Sequence, residues 1–261
     1  MVPGETCQAG SVPETTVTVT FAGCGDAFGS GGRFQACIHL RQASLAAPVL
    51  LDCGATSLTA LRRCGLDPGE IGAVFLSHLH GDHFGGLPFL ILDGQFSRRA
   101  APLVIAGPAG TEQRLAATME CLFPGSSKVR RTFEVSVVEL TAGRTARVAG
   151  IPVGAFPASH PSGAPALILR LAVGPKVIAY TGDTAWTPAV AEASAGADLL
   201  IAEAYHWAKP VPHHLRYSEL TEHEITARRV VLTHMSADML ARGDQPGFET
   251  ARDGCVLRLP G

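Results

Sequence analysis

The chain has 261 residues, of which 46% are hydrophobic and 17% charged, and its formal net charge is −2. That is ample apolar material for a sizeable core, which excludes a disordered chain. The charge balance excludes a broad basic field for non-specific binding of nucleic acid or anionic membrane.

Strand-like and helical segments alternate along the chain, with glycine and proline at nearly every join. Val17–Gly23 (VTVTFAG) alternates apolar and threonine side chains and predicts a strand, which runs into the glycine-rich GCGDAFGSGG. APVLLDCGA predicts a buried strand ending at Asp52. The short helix TSLTALRRCGLD follows, with Thr56 or Ser57 able to cap it and Gly65 able to end it. IGAVFLS is the next strand. PLVIAGP and FEVSVVEL are strands on either side of the helix TEQRLAATMECLF.

From about Thr145 to Tyr180 the pattern becomes hairpin-rich, with a turn at Gly174-Pro175. The helix TPAVAEASAG, the strand ADLLIAEAY, the helix YSELTEHEITARR and the strand VVLTHMS complete the series. No repeat or linker interrupts it. The reading is one α/β (α+β) domain over residues 1–261, with 1–15 loosely ordered, two sheets inside and helices outside.

Other features set the context. No apolar run approaches the roughly 18 residues of a membrane span. The first residues, MVPGETCQAGSVPET, lack the basic-then-apolar pattern of a secretory signal. Seven cysteines are scattered without CxxC spacing, which fits reduced thiols in a cytoplasmic protein.

The densest polar stretch is LSHLHGDHFGGLP, which packs His78, His80, Asp82 and His83 into six positions. On a loop, residues two apart face the same way, so His78 and His80 can approach one ion together. Gly81 permits a sharp turn, after which Asp82 and His83 begin a helix and face the same cavity. Four such ligands suit two neighbouring cations better than one. Imidazole and carboxylate without thiolate fit zinc, and also manganese or iron. Further candidates end other strands: His160 in AFPASHPSG, Asp183 in VIAYTGDTA and His234 in VVLTHMS.

With those residues in order, the chain resembles the metallo-β-lactamase-fold hydrolases from Gly23 through His234. The resemblance implies an αββα sandwich of two mixed β-sheets with a two-metal site at its rim. It implies one ion on His78, His80 and His160, a second on Asp82, His83 and His234, and Asp183 bridging both together with a hydroxide. Asp52 would orient ligands without binding metal. Two divalent ions, Zn2+ first and Mn2+ or Fe as alternatives, are the implied cofactors.

No cysteine stands at position 183, where the common dizinc β-lactamases carry one, which counts against antibiotic hydrolysis. The segment from Ala202 to Leu240 is similar to the phosphodiesterase branch, which includes ribonuclease Z and the bacterial and phage cyclic-nucleotide hydrolases. That similarity implies a catalytic pair at Glu203 and His214, with Asp82 the third expected catalytic residue. An imidazole held protonated by a carboxylate can contact a phosphate and hand a proton to the leaving oxygen. His213 is the alternative to His214.

The glycine-rich loop, at Gly23, Gly25 and Gly29, is a further candidate for holding a phosphate on backbone N–H groups, with Arg33 a candidate anion contact. His39, His206 and His223 read as surface or packing residues. The expected substrate is a small phosphodiester such as a cyclic nucleotide, with no stable nucleic-acid partner and no membrane. The resemblance adds a homodimer. The rivals are a lactonase or thioesterase, a single-iron persulfide dioxygenase, a scaffold with a dead site and a tRNA 3′-processing endonuclease.

Overall fold

The computed structural model describes residues 14–243 and 247–261. Cys7 and most of the expected loose N-terminal segment therefore lie outside the described residues.

Two seven-stranded mixed sheets form the centre. The first contains β1 (Val17–Gly23), β2 (Cys37–Arg41), β3 (Val49–Leu51), β4 (Ala73–Phe75), β5 (Leu103–Pro108) and β6 (Val135–Leu140). The second contains β7 (Arg144–Val148), β8 (Ile151–Pro157), β9 (Leu167–Val173), β10 (Lys176–Tyr180), β11 (Leu199–Glu203), β12 (Val230–Thr233) and β13 (Glu249–Thr250). The last strand, β14 (Cys255–Leu259), returns to the first sheet and pairs antiparallel with β1. The spatial orders are β14-β1-β2-β3-β4-β5-β6 and β13-β12-β11-β10-β9-β8-β7.

Alternation along the strands builds the layers. Val17, Val19 and Phe21 of β1, Leu51 of β3 and Phe75 of β4 point between the sheets, where they meet Leu169, Leu171, Ile178 and Ile201. Each such side chain contributes roughly 1.5–3 kcal/mol by leaving water. The opposite faces carry the helices. Leu50 and Val74 pack under α1 (Ser57–Arg63), α3 (Leu87–Phe96) and α4 (Thr111–Leu122). The second sheet is covered by α5 (Pro188–Ser194), α6 (Tyr217–Glu222) and α7 (Ala237–Leu240). The arrangement is an αββα sandwich, as the resemblance implies.

Strand direction positions the site. β3 and β4 run parallel in one sheet, and β10, β11 and β12 run parallel in the other. β8 has the same direction as β10, because both pair antiparallel with β9. The residues that follow these strands therefore gather at one edge, the carboxyl ends of the strands, where α/β scaffolds hold their ligands. A one-turn helix, α2 (Gly81–Phe84), carries Asp82 and His83 there. Among the described residues no helix is long and apolar enough to cross a membrane.

Local expectations differ from the fold at two points. Thr56 does not cap α1 with its side chain; its hydroxyl instead accepts the Gln35 N–H, tying the glycine-rich loop to that helix. The last predicted helix stops at Glu222, because the backbone turns extended at His223 and the Arg228 N–H reaches back to Ala197 O. His39 is the packing residue that the sequence allows: it is buried in β2 beside Leu50, its Nδ1 without a hydrogen-bond partner.

Burial, aided by the charge of Arg41, pushes the His39 imidazole down to about 4. Below the ordinary value of 6.5 the unfolded chain binds a proton that the folded chain refuses, so stability falls as pH drops toward 4. The unfolding free energy of His39→Leu should lose about 2 kcal/mol less than that of the natural chain between pH 7 and 5. Chemical denaturation at the two pH values measures this, and equal losses would contradict it.

Candidate metal centre

Asp52 follows β3 in the left-handed conformation, with φ 56°. It is fully buried and accepts four hydrogen bonds: Ser77 N–H at 2.7 Å, Ser77 Oγ at 2.7 Å, His83 Nδ1 at 2.6 Å and Tyr180 Oη at 2.7 Å. Because the Ser77 hydroxyl donates to Asp52, it accepts from His78 Nδ1 at 3.0 Å. Both imidazoles thus carry their N–H on Nδ1 and turn an Nε2 lone pair inward. Asp52 bonds His83 directly and reaches His78 through the Ser77 hydroxyl. Ser77 and Tyr180, through which it also acts, were not anticipated.

His160 is set in the same way. Its Nδ1 donates to the carbonyl of His213 at 3.0 Å, which leaves Nε2 facing His80 Nδ1 at 3.0 Å. His213 has φ 65°, a strained value for a residue with a Cβ, and that conformation aims its carbonyl. Asp183 reaches the edge through Gly182, at φ 53°, where a Cβ would lie 2.4 Å from that of Ser77. Only glycine permits so close a crossing of the two sheets.

Seven predicted residues converge. The donor atoms of His78, His80 and His160 lie within 4.8 Å of one another, and so do those of Asp82, His83, Asp183 and His234. Asp183 stands between the groups. Its Oδ2 is 3.9 Å from His78 Nε2 and 3.8 Å from His160 Nε2, and its Oδ1 is 3.3 Å from His83 Nε2 and 3.4 Å from His234 Nε2. Asp82 Oδ2 lies 3.2 Å from His83 Nε2 and 3.1 Å from His234 Nε2.

The donor set fits divalent cations. Two nitrogens bound tetrahedrally to one zinc at about 2.0–2.1 Å sit roughly 3.3 Å apart, close to the His80–His160 spacing. His78 Nε2, His83 Nε2 and Asp183 Oδ1 are buried with no hydrogen-bond partner, which is costly unless an ion satisfies them. Burial, with the neighbouring imidazole His83, holds His78 well below the ordinary histidine range. Burial opposes charge on His234, yet Asp183 and the hydrogen bond to Asp82 hold it up at about 9. Such a proton is what a cation between these carboxylates would replace.

Beside the cluster, Glu203 ends β11 fully buried. Its Oε1 accepts the backbone N–H groups of Thr184 and Leu215, and its Oε2 accepts His214 Nδ1 at 2.8 Å. Burial and then Asp183 push the Glu203 carboxyl up. Burial opposes charge on His214, but the Glu203 hydrogen bond and charge hold its imidazole above the ordinary range. Tyr205, absent from the sequence reading, stacks on His214 with ring centroids 4.8 Å apart.

The glycine-rich loop is built differently from the anion cradle expected of it. The Gly25 N–H is engaged by Phe34 O and the Gly29 N–H by Asp26 O. Gly23 and Gly25 are glycine because a Cβ would meet Gln35 O at 2.0 Å or Phe34 O at 2.9 Å. Arg33 donates to Ala251 O. His206 pairs with Asp238 and His223 stacks on Trp186.

Residues 48–235, which carry every histidine and aspartate of the cluster, match the family model described as a beta-lactamase superfamily domain. The chain belongs to the beta-lactamase superfamily. Ribonuclease Z from Methanosarcina acetivorans is 28% identical over 275 residues, covering 84% of this chain and 87% of that protein. Ribonuclease BN from Erwinia tasmaniensis is 32% identical over 112 residues, which span 43% of this chain and only 35% of that relative. Among solved structures, human tRNase Z, short form, has a TM-score of 0.72 at 29% identity, covering 92% of this chain and 98% of its own. The metallo-beta-lactamase fold protein YhfI from Bacillus subtilis has a TM-score of 0.76 at 21% identity, covering 94% and 99%, which bears on the fold alone.

Asp52→Asn keeps the shape but places an amide N–H against one of the four donors, so His78 and His83 lose their fixed tautomers. Metal affinity should fall about 10–100-fold. Zinc retained per chain after dialysis against graded chelator reads this directly, and retention equal to that of the natural chain would contradict it.

Proposed function

We propose that this member of the superfamily is a metal-dependent phosphodiesterase acting on a small phosphodiester such as a cyclic nucleotide. The observation that carries the reading is the His214–Glu203 pair, set at 2.8 Å beside the histidine and aspartate cluster. Hydrolysis of a thioester, whose thiolate leaves without a proton, has no comparable need for it.

Divalent ions bound by the two groups would lower the pKa of water and neutralise charge on the phosphoryl oxygens. His78, His80 and His160 would hold one, and Asp82, His83 and His234 the other, with Asp183 shared. The protein's own contribution lies in orientation and protons. Asp52 fixes the tautomers of His78 and His83, and His213 O fixes that of His160. The two N–H donors on Glu203 Oε1 keep that carboxylate in place, and Oε2 keeps the proton on His214 Nδ1. A protonated His214 then offers its Nε2–H to the phosphate and, as the bond to phosphorus breaks, to the departing alkoxide. The face of Tyr205 against His214 favours the cationic ring. The reading also carries zinc as the ion, a homodimer, a cytoplasmic setting and residues 1–261 acting as one domain.

A second reading, endonucleolytic processing of tRNA 3′ ends, is favoured by the similarity to ribonuclease Z over most of both chains. Metal-loaded protein assayed on bis(p-nitrophenyl) phosphate, on 2′,3′- and 3′,5′-cyclic nucleotides, on a 3′-extended precursor tRNA and on a lactone and a thioester separates the two. Turnover of a cyclic nucleotide supports the first reading. Cleavage of the precursor alone supports the second, and activity confined to a lactone or thioester would overturn both.

His214→Ala should lower kcat about 10²–10⁴-fold on a cyclic nucleotide, whose alkoxide needs a proton. On bis(p-nitrophenyl) phosphate, whose phenolate leaves unprotonated, the loss should be no more than about tenfold. Equal losses on the two substrates would contradict a role as general acid.

A further inference from the structure

One half-buried guanidinium near the metal centre has no acidic partner. Arg114 lies in the second turn of α4, and its Nη1 reaches the carbonyl of Leu79, between His78 and His80, at 3.5 Å. Its Nη2 lies against the loop that follows His160, 3.3 Å from where a Cβ on Gly163 would stand. Arg114 thus spans the two loops that deliver His80 and His160. Among the described residues no carboxylate comes within 4.0 Å of it, whereas Arg62 and Arg229 pair with Asp93 and Glu249.

The surroundings form a built groove. A cavity of about 530 Å³, lined by Leu79, Gly110, Gln113, Arg114, Gly163 and Pro165, opens at this point. Its size falls within the range of about 300–1,000 Å³ usual for small-molecule sites. Of the acidic neighbours, one is committed to a backbone N–H at the groove's rim and the other faces away. Glu139 caps the amino end of α4, accepting the Gly110 N–H at 2.8 Å, and Glu112 lines a different cavity on the other side of the helix. The groove therefore offers a planar fork of N–H donors and the Gln113 amide, and among the described residues one long bond to a carbonyl is the fork's sole hydrogen bond. Such a fork matches two oxygens of a phosphate.

We infer that this groove is an anion subsite in which Arg114 grips a second phosphate of the substrate, next to the one being cleaved. The inference rests on the phosphodiesterase reading and narrows it. The favoured substrate is a nucleotide phosphodiester that bears a further phosphate on the same nucleoside, a class that includes short oligonucleotides and phosphorylated cyclic nucleotides, with a simple cyclic mononucleotide turned over less efficiently.

Two chromogenic esters test it: the p-nitrophenyl ester of thymidine 5′-phosphate, and the same ester carrying a 3′-phosphate. The natural chain should favour the second by at least tenfold in kcat/KM. Arg114→Ala should bring that ratio to about one, and Arg114→Lys, which keeps the charge but loses the fork, should fall between. Each ratio is taken within one protein, so partial loss of folded material does not alter it. A ratio near one in the natural chain, or an unchanged ratio in Arg114→Ala, would overturn the subsite.

If neither ester turns over, no ratio can be taken, and the phosphodiesterase reading stands or falls on the cyclic-nucleotide assay above. Calorimetric binding of thymidine 3′,5′-bisphosphate and of thymidine 5′-phosphate to the natural chain and Arg114→Ala then decides the subsite alone. Tighter binding of the bisphosphate that is lost in Arg114→Ala supports it, and equal binding of the two nucleotides overturns it.

Discussion

A single carboxylate holds the architecture of this site together. Asp52 sits at the carboxyl end of β3, and its oxygens collect donors from β4's loop (Ser77), from α2 (His83) and from the opposite sheet (Tyr180). Removing an ionised carboxylate from water costs several kcal/mol, so it stays buried only where strong hydrogen bonds offset that cost. Here they do, and the same bonds decide which nitrogen of His78 and His83 carries the proton. One residue therefore clamps the two sheets at their edge and leaves the imidazole lone pairs aimed into a common space.

The rest of the site extends that logic. Parallel strands deliver functional side chains to one rim, and backbone positions of uncommon conformation fine-tune them. Gly182 lets β10's loop cross against Ser77 so that Asp183 stands between the two groups. His213 and His234 both take left-handed φ values, 65° and 54°. Both bonds are made by backbone atoms: His213 O fixes His160, and His234 N–H meets Cys24 O at 3.0 Å. Such strain is tolerated because the surrounding hydrogen bonds overdetermine it. Glu203 repeats the Asp52 device on the other side, a buried carboxylate held by backbone N–H groups and fixing one histidine.

Much of this was legible in the sequence, for physical reasons that differ by residue. His78, His80, Asp82 and His83 stand out because four ligand-type groups in six positions have no other use in a buried segment. His160, Asp183 and His234 were legible because each ends a strongly apolar strand. The roles of Ser77, Tyr180 and Tyr205 were not, since a serine or tyrosine beside a strand carries no signal until the fold supplies its partner 128 residues away, as with Tyr180 and Asp52. β2 was hidden by the polar His39 within it, and β14 because its partner β1 lies at the other end of the chain. In the glycine-rich loop, Gly23 and Gly25 answer close backbone contacts, and the N–H groups of Gly25 and Gly29 are taken up by carbonyls of the loop and its continuation. Arg114 could not have been found from spacing, because only the folded chain brings α4 against Leu79.

The central claim is that the two groups of side chains hold a pair of divalent ions with Asp183 between them. Anomalous diffraction from crystals grown with zinc, recorded on either side of the metal edge, tests it most directly. The account predicts two peaks roughly 3.5–4 Å apart, one beside His78, His80 and His160 and one beside Asp82, His83 and His234. A single ion away from Asp183, or no ion within the cluster at saturating zinc, would contradict it.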